Sequence, residues 1–388
     1  MQDVLRDAGG LATESRLAAQ AVASAWLGEA WSKRSPGHRG AEAALVTALV
    51  GVARRTRRPT AYLALHALAT IPGDWREEVA DALERAPEAA PVPAWATDPR
   101  AATPELPTRA RLWSDPWGSE LTYLLDYEEP EPHQLLVPIS TVGGTYVQTL
   151  VVGHRDGWPP EGSVGEQTLR GEVDPAEALA AVADAMWHTD LVWPPQDDVE
   201  YVLARSLVHW RASGRRTERD REPLPDTERR ALLDDFAAAH GPELGLDPGI
   251  VEVASDTFVD FGEGYLVGGV LAWSPGEVER FLLHWVTRKV LLDDEAATAV
   301  PDVLRVWVAF ALRRQGLAEE HIAPVVAAVD ALRSDYDEAR APGNRGPAAE
   351  LMARMVEQGF DLDDPDAIAG AVAAYHAEQN ARRVLDGR

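Results

Sequence analysis

Two groupings of residues carry types that could do chemistry. His188-Thr189-Asp190, directly after Trp187, sets a titratable imidazole near a carboxylate at an expected helix end. A pair of that kind could move a proton. A lone histidine at a helix C-terminus more commonly compensates the helix dipole. The second grouping is the acidic string Asp256, Asp260 and Glu263, which runs into a glycine-rich stretch, GEGYLVGG. Asp256 and Asp260 stand four apart on an expected helix and so share a face. Paired carboxylates can hold a metal or work as acid and base. The plainer alternative pairs them with Arg288 and Lys289 across helix packing, since structural ion pairs also perturb carboxylates. His188, Asp190, Asp256, Asp260 and Glu263 therefore make up the candidate catalytic set.

The candidate ligand-binding set is Trp113, Trp117 and Arg288. Trp113-Ser114-Asp115-Pro116-Trp117-Gly118 places two indoles on a Pro/Gly turn, where they could rim a groove. The chain has thirteen tryptophans, and several, such as Trp26, Trp285 and Trp307, sit at core-facing helical positions. Packing is the stronger reading for these, because buried aromatics usually fill cores. Trp158 and Trp193 flank prolines or acidic turns.

Other chemistry lacks its signature. His209 and His284 sit beside Trp210 and Trp285, and no two histidines have metal-ligand spacing, so no metal site is expected. Gly262, Gly264, Gly268 and Gly269 resemble a dinucleotide fingerprint only superficially. That motif needs a strand before it and a helix after it, and a helix is expected beforehand here. Neither a G-x-S-x-G elbow nor a phosphate-binding G-x-x-x-x-G-K-[ST] loop occurs. No cofactor is expected. With no cysteine, disulfides, thiol nucleophiles and cysteine zinc sites are excluded.

Charge narrows the partners. The net charge is −26, yet residues 1–90 hold 11 basic and 11 acidic side chains. Residues 91–200 hold 5 against 19, and residues 201–388 hold 21 against 33. Phosphate-backbone binding needs Lys and Arg, so nucleic acid and anionic membrane surfaces are disfavoured. The one basic knot, Arg54, Arg55, Arg57 and Arg58, ends a helix and is expected to contact acids elsewhere in the chain. No secretory signal is visible at the start, and the cytoplasm is the expected compartment. The uncharged run 134–153 carries Pro138, Gly143 and Gly144 and reads as strands, not as a membrane span.

The elements that must position these residues are mostly helices. Residues 1–90 read as helical hairpins with breaks at Pro36–Gly37, Pro59 and Pro72–Gly73. Residues 88–109, rich in Pro and Ala, read as a linker or extended wrap. Residues 91–214 form a small antiparallel sheet with covering helices, its strands expected at 119–127, 133–140, 145–152 and 168–173. Asp174-Pro175-Ala176-Glu177 caps a helix running to about Trp187, and another spans roughly 199–212. The charged stretch 214–225 is the expected connection to a helical domain, residues 226–388.

In that last part, helices are expected at 227–239, 248–261, 275–291, 301–315, 322–338, 347–358 and 365–385. Ser274, Pro275 and Glu277 form a capping box. Val278, Phe281, Leu282 and Trp285 follow on one apolar face, and a second helix opens at Pro301 and closes at Gly316. The fold class is thus mainly α with a small antiparallel β-sheet in the middle (α+β), and with helical N- and C-terminal parts.

The Trp273–Leu317 module resembles the C-terminal module of a group of uncharacterised acidic proteins from high-GC bacteria. The likeness rests on Ser274, Pro275, Phe281, Leu282, Trp285, Arg288, Lys289, Val290, Pro301, Val303, Leu304, Trp307 and Val308. The strands from His133 to Val152 and the Asp174 helix are similar to the same group. The resemblance implies a fold and brings no activity.

Dense core-building sequence without a chemistry-grade motif leads to a binding, scaffold or adaptor protein, with another protein as partner. The alternatives are a hydrolase or transferase whose active site assembles only in three dimensions, and an acidic charge mimic of a basic partner's ligand.

Overall fold

The computed structural model describes residues 1–35, 40–153, 164–217, 222–290 and 292–341, together with 355, 370 and 372. The helices expected at 347–358 and 365–385, and Trp158, lie outside the described residues. The chain divides into two compact units, Met1–Asp220 and Arg221–Arg388, and the division falls inside the charged stretch 214–225.

The first unit opens with α1 (Gln2–Asp7), a 3-10 turn (Ala8–Thr13), α2 (Arg16–Ser32), α3 (Ala41–Thr56), α4 (Pro59–Ala69) and α5 (Arg76–Glu84). Strands follow: β1 (Arg109–Ser114), β2 (Glu120–Tyr127), β3 (His133–Ser140), β4 (Tyr146–Val147), β5 (Val151–Gly153) and β6 (Thr168–Val173). Then come α6 (Pro175–Leu191) and α7 (Val199–Arg211). All the strand pairs are antiparallel, in the order β4-β3-β2-β1-β6, with β5 also on β3. The run 134–153 is strand and turn, as its prolines and glycines predict.

Strand β1 is a correction. Its residues were expected in a linker and a turn, but Trp113 pairs with Thr122 of β2 and Leu169 of β6. Alternation is weak in RARLWS because Arg109 and Arg111 serve as polar partners, of Glu172 and Asp126.

Residues 1–90 and 91–214, which differ in composition, share this unit because α2 and α7 lie against each other. Gly28 makes the approach possible: a Cβ there would stand 1.7 Å from the Val202 carbonyl oxygen. The Leu207 amide donates to Ser24 Oγ at 3.0 Å across the same seam. Helix α7 sends Leu207 and Trp210 into the core of α1–α5, and Tyr201, Ala204 and Val208 into the core under the sheet. Helix α6 covers that sheet through Leu179, Val182 and Met186. It starts at Asp174, whose Oδ1 accepts from the Ala176 and Glu177 amides at 2.8 and 3.1 Å.

The second unit comprises α8 (Asp226–Leu244), α9 (Pro248–Tyr265), α10 (Pro275–Glu279), a π-helical segment (Arg280–Val286), α11 (Thr287–Lys289), α12 (Asp294–Arg314), α13 (Glu319–Ala331) and α14 (Arg333–Arg340). Ser274 Oγ accepts from the Glu277 amide at 3.3 Å, which is the predicted cap. Aromatic rings pack the core, with Phe258, Phe261, Trp273 and Phe281 at centroid separations of 5.2–6.3 Å. Trp307 joins through Phe258 at 5.7 Å and Phe236 at 5.0 Å.

Helix α12 begins seven residues before the expected start. Asp293 is its cap, and Pro301 lies inside it. Proline has no N–H, so the Ala297 carbonyl one turn earlier lacks its helical donor. Tyr336 supplies the substitute: its hydroxyl donates to the Ala297 oxygen at 2.8 Å. No described helix is long and apolar enough to cross a membrane.

Candidate functional site

The polar centre of the first unit is built by one face of α7. Tyr201, Arg205 and His209 recur every four residues, so they align along the helix, and all three reach Asp190 in the last turn of α6. Asp190 accepts from Tyr201 Oη at 2.9 Å, from Arg205 Nη2 at 2.7 Å and from Arg205 Nε at 3.1 Å. His209 Nε2 lies 2.6 Å from its Oδ2. A carboxylate only accepts, which puts the imidazole proton on Nε2. Nδ1 then faces no hydrogen-bond partner among the described residues.

Arg205 extends the network. Its Nη1 donates to Glu42 Oε1 at 2.7 Å, in the first turn of α3. Its guanidinium carbon and that of Arg34 lie 4.3 and 4.1 Å from the Trp31 ring centroid. Arg34 also donates to the Asp190 carbonyl at 3.1 Å. Burial acts to raise the Asp190 pKa, but hydrogen bonds from His209 and the charge of Arg205 overcome it and hold the carboxyl well below the usual carboxylate range. Burial and the adjacent Asp190 charge push the Tyr201 hydroxyl up. Asp190 is therefore ionised, and both of its oxygens are engaged by these donors.

A cleft of about 530 Å³ opens beside it. Glu42, Arg205, Ser206, His209, Trp210 and Ser213 line one side, and the α4–α5 turn from Ile71 to Arg76 lines the other. Gly73 belongs to this turn because the Trp75 ring rests against it: a Cβ at Gly73 would stand 2.7 Å from the ring. The Arg76 guanidinium lies 5.8 Å from the Trp210 ring centroid and meets no carboxylate among the described residues. Trp75 Nε1, Ser206 Oγ and Trp210 Nε1 are buried without a hydrogen-bond partner among the described residues. Unpartnered buried donors are costly, about 1–3 kcal/mol each. A second cavity, of about 440 Å³, is lined by Arg16, Glu105, Glu128, Glu129 and small polar residues.

Of the sequence candidates, Asp190 belongs to the first cleft's network and His188 does not. His188 is exposed, its Nδ1 lies 2.9 Å from the Asp184 carbonyl, and its ring meets Trp187 edge-on at 5.0 Å. Asp190 instead takes His209, nineteen residues away.

Asp256, Asp260 and Glu263 do converge, but on a cation. Arg229 of α8 reaches Asp256 and Asp260 at 2.6 Å each and Glu263 at 3.0 Å. The expected partners, Arg288 and Lys289, are elsewhere: Lys289 donates to Tyr265 Oη at 2.7 Å, and Arg288 is exposed. Gly262 and Gly264 lie inside α9, so no strand delivers that glycine run.

Trp113 and Trp117 are half-buried and line neither cavity. Arg54, Arg55, Arg57 and Arg58 are exposed and make no ion pair among the described residues, contrary to expectation; at the end of α3 the helix dipole already offers them negative potential. Among the described residues, no group of three or more His, Asp or Glu is placed to hold a metal ion.

Sequence reasoning passed over Arg205, Glu42, Trp75 and Arg76. One signal was present for α7: Tyr201, Arg205 and His209 form a polar stripe at spacings of four along a helix whose other positions are largely apolar. Against known proteins, no family model matches the chain, and no curated protein or solved structure is similar to it.

Proposed function

We propose that the chain is a binding protein whose first unit seats a small molecule in the cleft between α7 and the α4–α5 turn. The observation that carries this reading is the pair of indoles, Trp75 and Trp210, that line a pocket of ligand size beside the Asp190 network. The Asp190 network beneath holds Arg205 and His209 rigidly, which lowers the ordering cost of binding. A scaffold or adaptor role, with another protein as partner, is compatible with such a seat if the bound molecule governs docking.

A second reading is favoured by one feature. His209 is held through Nε2, which leaves Nδ1 as an acceptor beside the cleft, the posture of a general base. Against it, Ser206 Oγ makes no hydrogen bond among the described residues, so that hydroxyl is not paired with the imidazole as a nucleophile.

A thermal-shift panel of amino acids, nucleosides, sugars and organic acids tests both. Ser213 is exposed at the cleft wall, so Ser213→Trp obstructs the cleft without entering the core. Binding predicts that one class stabilises the wild type, by about 2.7 kcal/mol at a hundred times its Kd, and fails to stabilise the variant. No stabilising class, or equal stabilisation of the variant, overturns the proposal. Turnover of the bound compound, lost in His209→Gln while binding persists, would select the second reading.

A further inference from the structure

Resting on the cleft as a ligand seat, we infer that it takes a free α-amino acid with an aromatic or other large apolar side chain. The argument begins with charges that have no partner. Two arginines gather three carboxylates each, Arg100 with Glu77, Asp81 and Glu84, and Arg229 with Asp256, Asp260 and Glu263, while the exposed Arg54, Arg55, Arg57 and Arg58 meet none among the described residues. Arg76 meets none among the described residues, although acids are abundant. Two positions earlier, Asp74 meets no cation among the described residues. Both line the cleft and flank Trp75 on one turn, and they do not pair with each other.

Arg76 is half-buried and Asp74 exposed, so each is open to a ligand group of opposite sign. A ligand carboxylate can lie in the fork of the Arg76 guanidinium, which is steadied over the Trp210 ring. A ligand ammonium group suits Asp74, with Glu42 as a further acid on the opposite wall. A carboxylic acid alone leaves Asp74 unanswered, and an amine alone leaves Arg76 so. A phosphate, with two charges, would face one free guanidinium and the two acids. The zwitterion fits both signs. Beside the charges, Trp75, Trp210, Ile71 and Pro72 line the same cleft and offer apolar surface to a flat or branched side chain.

Calorimetric titration of the full chain with L-phenylalanine tests this, alongside L-phenylalaninamide, phenethylamine, 3-phenylpropionate and L-alanine. Phenylalanine should bind, and each analogue lacking one charge or the ring should lose about tenfold or more in affinity. Arg76→Met should bring phenylalanine down to the affinity of its amide while leaving the amide unchanged. Asp74→Asn should erase the advantage over 3-phenylpropionate. A purely structural role for either residue would weaken all compounds alike. A singly charged analogue that binds as tightly as phenylalanine overturns the inference, on the wild type alone if a variant does not fold. If another class fills the cleft and Ser213→Trp abolishes it while phenylalanine fails, this inference falls and the ligand seat stands. If no compound binds, both fall.

Discussion

Replacing Asp190 by Asn should remove the charge on which the first unit's polar centre converges. The side chain is 15% exposed and its Arg205 partner 11%, so solvent screens the pair little. Arg205 would keep Glu42 as its one carboxylate, and the new amide would turn donors toward the Arg205 donors. Taking away one partner of a buried ion pair costs about 3–5 kcal/mol. His209 is 36% exposed, so losing its contact adds little. We therefore expect about 3–5 kcal/mol for the whole substitution.

The assay is urea unfolding with pulsed hydrogen exchange, reading the first unit from peptides of α6 and α7. Its pH dependence has a fixed sign. The carboxyl pKa is depressed in the folded chain, so the stabilisation is complete above the unfolded value of about 3.9 and disappears as pH falls from there through the folded value. The gap between wild type and Asp190→Asn should be full at neutral pH and shrink in acid. A gap under about 1 kcal/mol at neutral pH, or one that stays constant into acid, would refute the reasoning.

Three further outcomes follow from the packing. Tyr336→Phe should cost about 1–3 kcal/mol by orphaning the Ala297 carbonyl, and much less in a Pro301→Ala background, where residue 301 supplies its own N–H; equal costs in both backgrounds, measured by denaturant unfolding, would deny the link. Arg211→Met should change stability by less than about 1 kcal/mol or raise it, because Glu105 keeps Arg16 at 3.1 Å and no buried charge is left unpaired. Arg211 is fully buried, its nearest carboxylate oxygen is 3.7 Å away on Glu105, and burial lowers its pKa, so a large loss of unfolding free energy would count against this. Arg229→Met leaves Asp256, Asp260 and Glu263 stacked along α9 and should cost about 1 kcal/mol at low ionic strength, mostly recovered by molar salt in thermal melts.

Local signals predicted the elements well. The Ser274 and Asp174 caps, the strands from 120 to 140 and the apolar face of α12 follow from spacing and turn chemistry alone, whereas the helix expected over 275–291 is interrupted by the π-helical segment Arg280–Val286 and the strand expected over 145–152 is two short ones. The errors share a physical origin. Pro301 reads as a helix start because its missing N–H is harmless there, and only a tyrosine from α14 makes it harmless further in. Strand β1 lacks alternation because its polar residues find partners on the strands that flank it, β2 and β6.

The site was legible only in part for the same reason. Asp190 attracted notice through its neighbour His188, yet its partners come from α7, and Glu42 lies 163 residues from the arginine it holds. Trp75 and Arg76 sit in a turn whose sequence, PGDWR, announces a helix start and nothing about the wall it faces. The acids at 256–263 share one face as expected, but their cation comes from α8 rather than from the residues after α10.

Thirteen indoles give this chain thirteen reporters in a ¹⁵N-labelled spectrum. Titrating the full chain with the compound that stabilises it most should move the Trp75 and Trp210 Nε1–H resonances, in the cleft, and leave the buried Trp273 and Trp307 resonances still. Saturating shifts at Trp75 and Trp210 alone are the predicted result. Unmoved cleft resonances, or shifts centred on Trp113 and Trp117, would place the ligand elsewhere and contradict the account.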